Sequence, residues 1–65
     1  MNVVVNGQVS ELPAGITLPA LLERLGLRVG SVVVEHNGTA LLRSELDGVV
    51  VAEGDRVELV RAVAG

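Results

Sequence analysis

Two Asn-Gly dipeptides, Asn6-Gly7 and Asn37-Gly38, constrain the fold of this chain more than any other feature of its sequence. Each lies between two runs rich in valine or leucine. A two-residue type I′ turn needs positive φ at both central positions, and Asn-Gly adopts these angles most readily. Each dipeptide therefore predicts a β-hairpin. The predicted strands are 2–5 and 8–12 in the first hairpin, and 32–36 and 39–42 in the second.

A single helical pattern separates the two hairpins. Four leucines recur with the i, i+3, i+4, i+7 spacing that places them on one face of a helix. Thr17 is a suitable N-cap, Pro19 is tolerated in the first turn, and Gly26 favours a left-handed helix end. We expect this short helix to persist only when its apolar face packs against other elements. The four residues are Leu18, Leu21, Leu22 and Leu25.

The remainder of the chain predicts a last strand, and this strand completes the order of elements from which the topology of the sheet follows. Residues 43–48 predict one turn of helix or 3₁₀ helix, and 49–51 a short extended piece. After a turn at Gly54-Asp55, Arg56–Arg61 predicts the final strand. The order β-β-α-β-β-β is typical of an α+β, β-grasp (ubiquitin-like) domain, in which a single helix covers one face of a mixed sheet. The helical crossover predicts that the first and last strands lie side by side and parallel.

Composition narrows the classes of function open to these 65 residues. The absence of cysteine excludes disulfides, thiolate metal sites and thiol nucleophiles. A net charge of −3, with five arginines and no lysine, argues against nucleic acid as a partner, because such binding depends on a basic patch. No apolar run is long enough to span a membrane and no signal peptide is evident, so we expect a cytoplasmic protein.

No residue pattern predicts catalysis, a bound cofactor or a metal site. Phosphate-binding glycine motifs and metal-binding histidine motifs are absent from the sequence. Ser31 or Ser44 could be combined with His36, but nothing in their spacing supports a catalytic triad. We expect His36, the only histidine, to be a solvated strand end, and Gly54-Asp55 to be an ordinary turn. The chain is therefore predicted not to be an enzyme.

The chemical group that this sequence is predicted to present to a partner protein is a main-chain carboxylate. After the last predicted strand come Ala62, Val63, Ala64 and Gly65, none of which has a bulky, charged or reactive side chain. Glycine lacks a Cβ, so its backbone can enter a narrow channel that excludes other residues. We expect a β-grasp domain over 1–61 and a flexible tail over 62–65 that presents Gly65, with Ala62, Val63 and Ala64 contacting the partner.

Two valines on the predicted free face of the sheet are further candidates for partner binding. If Val3 and Val5 face the helix, Val4 points to the other face, as does Val60 on the neighbouring last strand. The apolar pair Val4 and Val60 either belongs to an interaction patch or reflects the preference of β-branched residues for strands.

Arg43 is the third candidate for partner binding outside the tail. It follows the second hairpin, and two interpretations are equally consistent with the sequence. Its guanidinium either pairs with a carboxylate of a partner or forms a local salt bridge with Glu45 or Asp47.

Six short segments carry a resemblance that extends over essentially the whole chain. They are Val3-Val4-Val5-Asn6-Gly7, the helix after Thr17 with Leu21-Leu22, Val34-Glu35-His36-Asn37-Gly38, Leu42-Arg43-Ser44-Glu45, Glu53-Gly54-Asp55-Arg56-Val57-Glu58-Leu59-Val60, and Val63-Ala64-Gly65. In order, spacing and total length they resemble the ThiS family, the ubiquitin-like sulfur carriers of thiamine biosynthesis. No single segment is specific by itself.

The resemblance implies a carrier whose C-terminal glycine is the working group. An E1-like enzyme, ThiF, would adenylate the terminal carboxylate with ATP, and sulfur from a cysteine desulfurase or another donor would convert it to a thiocarboxylate. Thiazole synthase, ThiG, would take that sulfur into the thiazole ring. The carrier itself would bind no cofactor. The family ends in Gly-Gly, so Gly65 matches its penultimate glycine, and the acceptor glycine is missing from this sequence.

Four alternatives stay open at this point: a MoaD-like carrier, a carrier for cysteine or methionine synthesis, a protein modifier joined to lysines, and a binding module such as a TGS-like domain. MoaD-like carriers, the small subunits of molybdopterin synthase, share the fold and the tail chemistry. They are usually longer, however, and tend to carry a proline pair where this chain has Val60-Arg61-Ala62. A TGS-like binding module would share the fold but would not need its C-terminus, so blocking the tail distinguishes it from the carriers.

Overall fold

The computed structural model describes residues 1–61 of the chain. Within that range five strands form one sheet, accompanied by a main helix, a second helix of a single turn and a 3₁₀ turn. The elements are β1 (Asn2–Val5), β2 (Gln8–Glu11), α1 (Leu18–Arg24), the 3₁₀ turn (Val29–Ser31), β3 (Val32–His36), β4 (Thr39–Leu41), α2 (Arg43–Leu46) and β5 (Arg56–Arg61).

The sheet has the order β2-β1-β5-β3-β4, which places the last strand in the middle. β1 and β5 are parallel, with Val4 opposite Arg56 and Val5 opposite Val57. The other three pairings, β1 with β2, β3 with β4 and β3 with β5, are antiparallel. This mixed sheet confirms the predicted α+β, β-grasp architecture and the parallel pairing of first and last strands.

Both predicted hairpin turns form, and the asparagine of each turn also forms a hydrogen bond with the backbone of β5. The turn residues have positive φ, 50° at Asn6, 80° at Gly7, 51° at Asn37 and 85° at Gly38. The Asn6 side-chain oxygen accepts a hydrogen bond from the Leu59 amide at 2.7 Å, and that of Asn37 accepts one from the Arg56 amide at 2.8 Å. The two asparagines therefore provide hydrogen-bond acceptors for β5 backbone amides that strand pairing leaves without a partner.

Helix α1 covers the sheet as predicted but ends earlier than the leucine spacing indicates. Thr17 caps it, since its hydroxyl accepts a hydrogen bond from the Ala20 amide at 3.2 Å. Leu18, Leu21 and Leu22 are fully buried. Leu25, predicted to share their face, is exposed, because α1 ends at Arg24 and Leu25 already serves as its C-cap.

The core lies between α1 and the inner face of the sheet. Val3 and Val5 point into it, whereas Val4 lies on the outer face and is partly buried, as alternation predicts. Residues 49–51 are not a sheet strand but contribute one isolated bridge, between Thr17 and Val50. The buried apolar residues are Val3, Val5, Leu12, Leu18, Leu21, Leu22, Val34, Leu46, Val51 and Val57.

The predicted helical turn after the second hairpin is α2, whereas the 3₁₀ turn before β3 was not predicted. Over residues 1–61, neither helix is long and apolar enough to cross a membrane.

Candidate functional site

β5 is the last element that the structure describes. This strand lies between β1 and β3, and its last residue, Arg61, is opposite Val32 in the register. The last residues of β5 pair with β3 alone, because β1 pairs only with Arg56 and Val57. The predicted tail residues Ala62, Val63, Ala64 and Gly65 lie outside the part of the chain that the structure describes.

The start of β5 is fixed by a cluster of polar side chains around Asp55. His36 Nε2 donates a hydrogen bond to the Asp55 carboxylate at 2.7 Å, and Asn37 Nδ2 donates to its other oxygen at 3.2 Å. The Ala52 amide donates a third hydrogen bond to Asp55 at 2.9 Å. The expectation of a solvated His36 is wrong, because its ring is partly buried against this carboxylate. Sequence reasoning also missed Asp55, since the turn composition gave no sign of its distant partners.

These contacts alter the acidity of Asp55. The hydrogen bond from His36 and, after it, the one from the Ala52 amide lower the pKa of the Asp55 carboxyl below its ordinary value. Because the folded-state pKa lies below the unfolded-state one, the ionised carboxylate stabilises the fold above the unfolded-state pKa. That contribution is lost as the pH falls through the folded-state pKa.

We expect the native chain to lose stability on acidification more steeply than an Asp55→Asn variant, which has no carboxylate to protonate at this position. The measurement is the urea midpoint at a series of pH values from about pH 5 downward. Asp47→Asn, at an exposed carboxylate, is the matched control and should follow the native slope. Parallel curves for Asp55→Asn and the native chain would contradict the assignment.

The two candidate valines lie on the same face of the sheet but are not neighbours. Val4 is opposite Arg56 on β5, and Val60 is four residues further along that strand, about 13 Å away. The cross-strand partner of Val4 is Val9, and that of Val60 is Val33. The predicted apolar pair is therefore two separate apolar spots, and only the one around Val60 is close to the end of β5.

Arg43 makes no local salt bridge with the described acidic residues. Glu45 instead accepts a hydrogen bond from the Leu42 amide at 2.7 Å, and no carboxylate of residues 1–61 lies within 4.0 Å of the Arg43 guanidinium. That guanidinium lies against Gly30, where an added Cβ would be 3.4 Å from Arg43 Nη1. The local interpretation is thus wrong, and pairing with a partner's carboxylate stays a prediction.

A shallow groove surrounds Arg43 on the side of the 3₁₀ turn. It is open to solvent and combines apolar and polar groups. The groove is lined by Val29, Leu42, Arg43, Ser44 and Asp47.

Among residues 1–61 no group of three or more His, Asp and Glu side chains is arranged to hold a metal ion.

Comparison with known proteins identifies the family. The ThiS family profile matches residues 3–65, almost the entire sequence. The chain belongs to the ThiS family. A crystal structure of the thiamine biosynthesis protein ThiS from Geobacter metallireducens is 34% identical, with a TM-score of 0.88, and the alignment covers 100% of this chain and 99% of that one. A solution structure of a thiamine biosynthesis protein from the same organism gives a TM-score of 0.82, also at 34% identity, covering 100% of this chain and 87% of that one.

Two curated relatives of this ThiS-family chain are much longer proteins. Thiazole synthases of Paramagnetospirillum magneticum and Magnetococcus marinus are each 35% identical to it over 65 residues. The match covers 100% of this chain but only 20% of either synthase. A segment of each of these synthases is therefore similar to the whole of this sequence.

Proposed function

We propose that this chain is a sulfur carrier for the formation of the thiazole ring in thiamine biosynthesis, with the carboxylate of a C-terminal glycine as the reacting group. The observation that carries the proposal is the likeness over its full length to a solved ThiS protein, at a TM-score of 0.88. The pairing of β5 with β3 supports it, because the strand that precedes residues 62–65 is anchored in the sheet as far as its last residue, Arg61.

The chemistry that we propose begins with activation of the carboxylate. A free carboxylate is a poor electrophile, so an E1-like enzyme of the ThiF type would join it to the α-phosphate of ATP and release pyrophosphate. With hydrosulfide as the donor, sulfur displaces AMP and leaves a thiocarboxylate. The chain contains no cysteine and no lysine, so no thiol or ε-amine of its own competes for the activated carboxylate. In the cell, a cysteine desulfurase or another donor would supply the sulfur.

The acceptor of the sulfur, in this proposal, is a thiazole synthase of the ThiG type. The support is the similarity of this chain to a segment of two proteins that bear that name. In these two proteins, a segment similar to this chain and the remainder of the synthase belong to one polypeptide. That arrangement is consistent with a carrier domain and a synthase domain that act in the same reaction.

Intact-mass spectrometry tests the proposal directly. Two chains, one ending at Gly65 and one with a glycine appended, are incubated with a ThiF-type enzyme, ATP and sulfide. We expect the longer chain to gain the mass difference between sulfur and oxygen. The chain ending at Gly65 should react far less, because a tail that is one residue shorter has about 3.3–3.6 Å less reach and the attack geometry tolerates an error of only about 1 Å.

Each outcome of this experiment has a distinct meaning. Mass gain in both chains would make Gly65 itself a working acceptor and would still support the carrier function. No gain in either chain, with a native carrier of the same enzyme reacting as a positive control, would overturn the proposal. Omission of ATP is the matched negative control, since adenylation is the step that makes the carbonyl reactive.

A further inference from the structure

The two Asn-Gly turns bring together the reacting groups of a spontaneous modification, deamidation. In such a dipeptide the glycine main-chain nitrogen can attack the carbonyl carbon of the asparagine side chain, because glycine has no Cβ to hinder the approach. Both turns are exposed to water. Within residues 1–61, neither the Gly7 nor the Gly38 amide donates a hydrogen bond to a backbone carbonyl. The nucleophile is therefore equally available in both turns, and the asparagine side chains decide any difference in reactivity.

The asparagine of the first turn is held by its oxygen alone. Asn6 Oδ1 accepts a hydrogen bond from the Leu59 amide at 2.7 Å, whereas Asn6 Nδ2 makes no hydrogen bond to another group of residues 1–61. The main-chain amide of Asn6 donates to the Val57 carbonyl at 2.9 Å. The side-chain nitrogen, which is the leaving group in deamidation, thus has only water as its partner within this part of the protein.

The asparagine of the second turn is held by both ends of its side-chain amide. Asn37 Oδ1 accepts a hydrogen bond from the Arg56 amide at 2.8 Å, and Asn37 Nδ2 donates one to Asp55 Oδ1 at 3.2 Å. The Arg56 amide can only donate, which fixes the orientation of the side-chain amide. The main-chain amide of Asn37 donates to the Arg56 carbonyl at 2.8 Å, much as in the first turn. The contact with Asp55 is therefore what distinguishes the two turns.

We propose that Asn6-Gly7 is a deamidation site of the folded chain and that the Asp55 carboxylate protects Asn37-Gly38 from the same reaction. The co-reactant is water. The modification adds one negative charge at the first turn, next to the backbone of β5. This inference does not depend on the proposed function, because it rests only on the contacts of the two turns.

The reaction at the first turn needs no oxidant or reductant. Hydroxide takes the proton of the Gly7 amide, and the nitrogen forms a bond to Asn6 Cγ. The bond between Cγ and Nδ2 then breaks, and ammonia leaves with a proton from water. Water opens the resulting succinimide ring at either of its two carbonyl groups and gives aspartate or isoaspartate. In sum, one water is consumed and one ammonia is released.

Two physical effects of Asp55 oppose this reaction at the second turn. The side chain of Asn37 must rotate out of its contacts before attack, and one of these is a hydrogen bond to an ionised carboxylate, which is stronger than a neutral one. The attack also develops negative charge on the nitrogen and then on the side-chain oxygen, and a carboxylate at hydrogen-bond distance disfavours that charge. In residues 1–61 no carboxylate makes the corresponding contact with Asn6 Nδ2.

Peptide mapping by mass spectrometry measures the two reactions in the same sample. The chain has arginines but no lysine, so trypsin separates the two sites into peptides 1–24 and 29–43. After incubation at mildly alkaline pH, we expect Asn6 to deamidate roughly fivefold faster than Asn37 in the folded chain. In urea the two rates should become similar, because each asparagine precedes a glycine. Equal rates in the folded chain, or a faster reaction at Asn37, would overturn the inference.

Asp55→Asn tests the protecting role of the carboxylate. The rate at Asn37 should rise towards that at Asn6, whereas the rate at Asn6 in the same molecules should stay at its native value. Asp47→Asn, at an exposed carboxylate, is the matched control and should change neither rate. An unchanged rate at Asn37 would refute the role of Asp55. An equal rise at both sites would also refute it, because global unfolding would then limit the reaction.

The aspartate products themselves should differ in stability. Asn6→Asp keeps an acceptor for the Leu59 amide, so its urea midpoint should stay close to the native value. Asn37→Asp replaces a donor by a second carboxylate that faces Asp55, so its urea midpoint should fall. Equal midpoints for the two variants would show that the contact with Asp55 does not distinguish the turns, and the inference would fail.

Discussion

Leu21→Ala should lower the free energy of unfolding by a third or more. Leu21 is fully buried in the middle of α1, at the centre of a core that consists only of aliphatic residues. Truncating a buried leucine costs about 3 kcal/mol through lost burial and a residual cavity. A domain of 65 residues has a total stability of only about 3–10 kcal/mol. The single change therefore removes a third or more of the stability.

Urea unfolding monitored by far-UV circular dichroism measures this effect. The chain lacks tryptophan and tyrosine, so fluorescence offers no intrinsic probe. Leu25→Ala is the matched control, because it makes the same change on the same helix at an exposed C-cap. We expect its urea midpoint to stay close to the native value. Equal losses from the two variants would show that α1 does not bury the face that the structure assigns to it.

The second large effect is expected from Asp55→Ala. The substitution removes the acceptor of three hydrogen bonds, from His36, Asn37 and the Ala52 amide. Hydrogen bonds to a charged group are worth more than neutral ones, but these groups are near the surface and water can replace part of what is lost. We expect a destabilisation of about 2 kcal/mol, again measured as the shift of the urea midpoint at an unchanged m-value.

A double-mutant cycle with His36→Ala tests whether the effect arises from the contact between His36 and Asp55. If the two side chains act through each other, the double variant should lose clearly less stability than the sum of the single losses. Asp47→Ala, at an exposed carboxylate, provides the control for removing an acidic side chain. Strictly additive losses would mean that Asp55 acts through Asn37 and the Ala52 amide rather than through His36.

Much of the fold was predictable because the signals that specify it are local. The Asn-Gly turns depend on two adjacent residues with positive φ, and they form at Asn6-Gly7 and Asn37-Gly38 as expected. The buried face of α1 follows from leucine spacing within a single helix. The parallel pairing of β1 with β5 followed from the topological rule for crossovers, which needs only the order of the elements.

The ends of elements were harder to predict, since they depend on what each element packs against. Leu25 fits the leucine spacing, yet the helix ends one residue before it and the side chain leaves the buried face. Residues 49–51 have strand-forming valines, but they belong to a loop and not to a strand of the sheet. Val51 enters the core from this loop, and its amide donates a hydrogen bond to the Ile16 carbonyl at 2.8 Å. Both differences arise from tertiary packing that overrides local preference.

The sequence by itself determined the two hairpin turns, the main helix, the β-grasp order and the family resemblance. Only the tertiary structure decided which side chains meet across the sheet. The contact between His36 and Asp55 and the separation of Val4 from Val60 both depend on the register between distant strands. That register is set by how valines and leucines from the whole chain fill one core, and a shift of one residue would exchange the two faces of a strand.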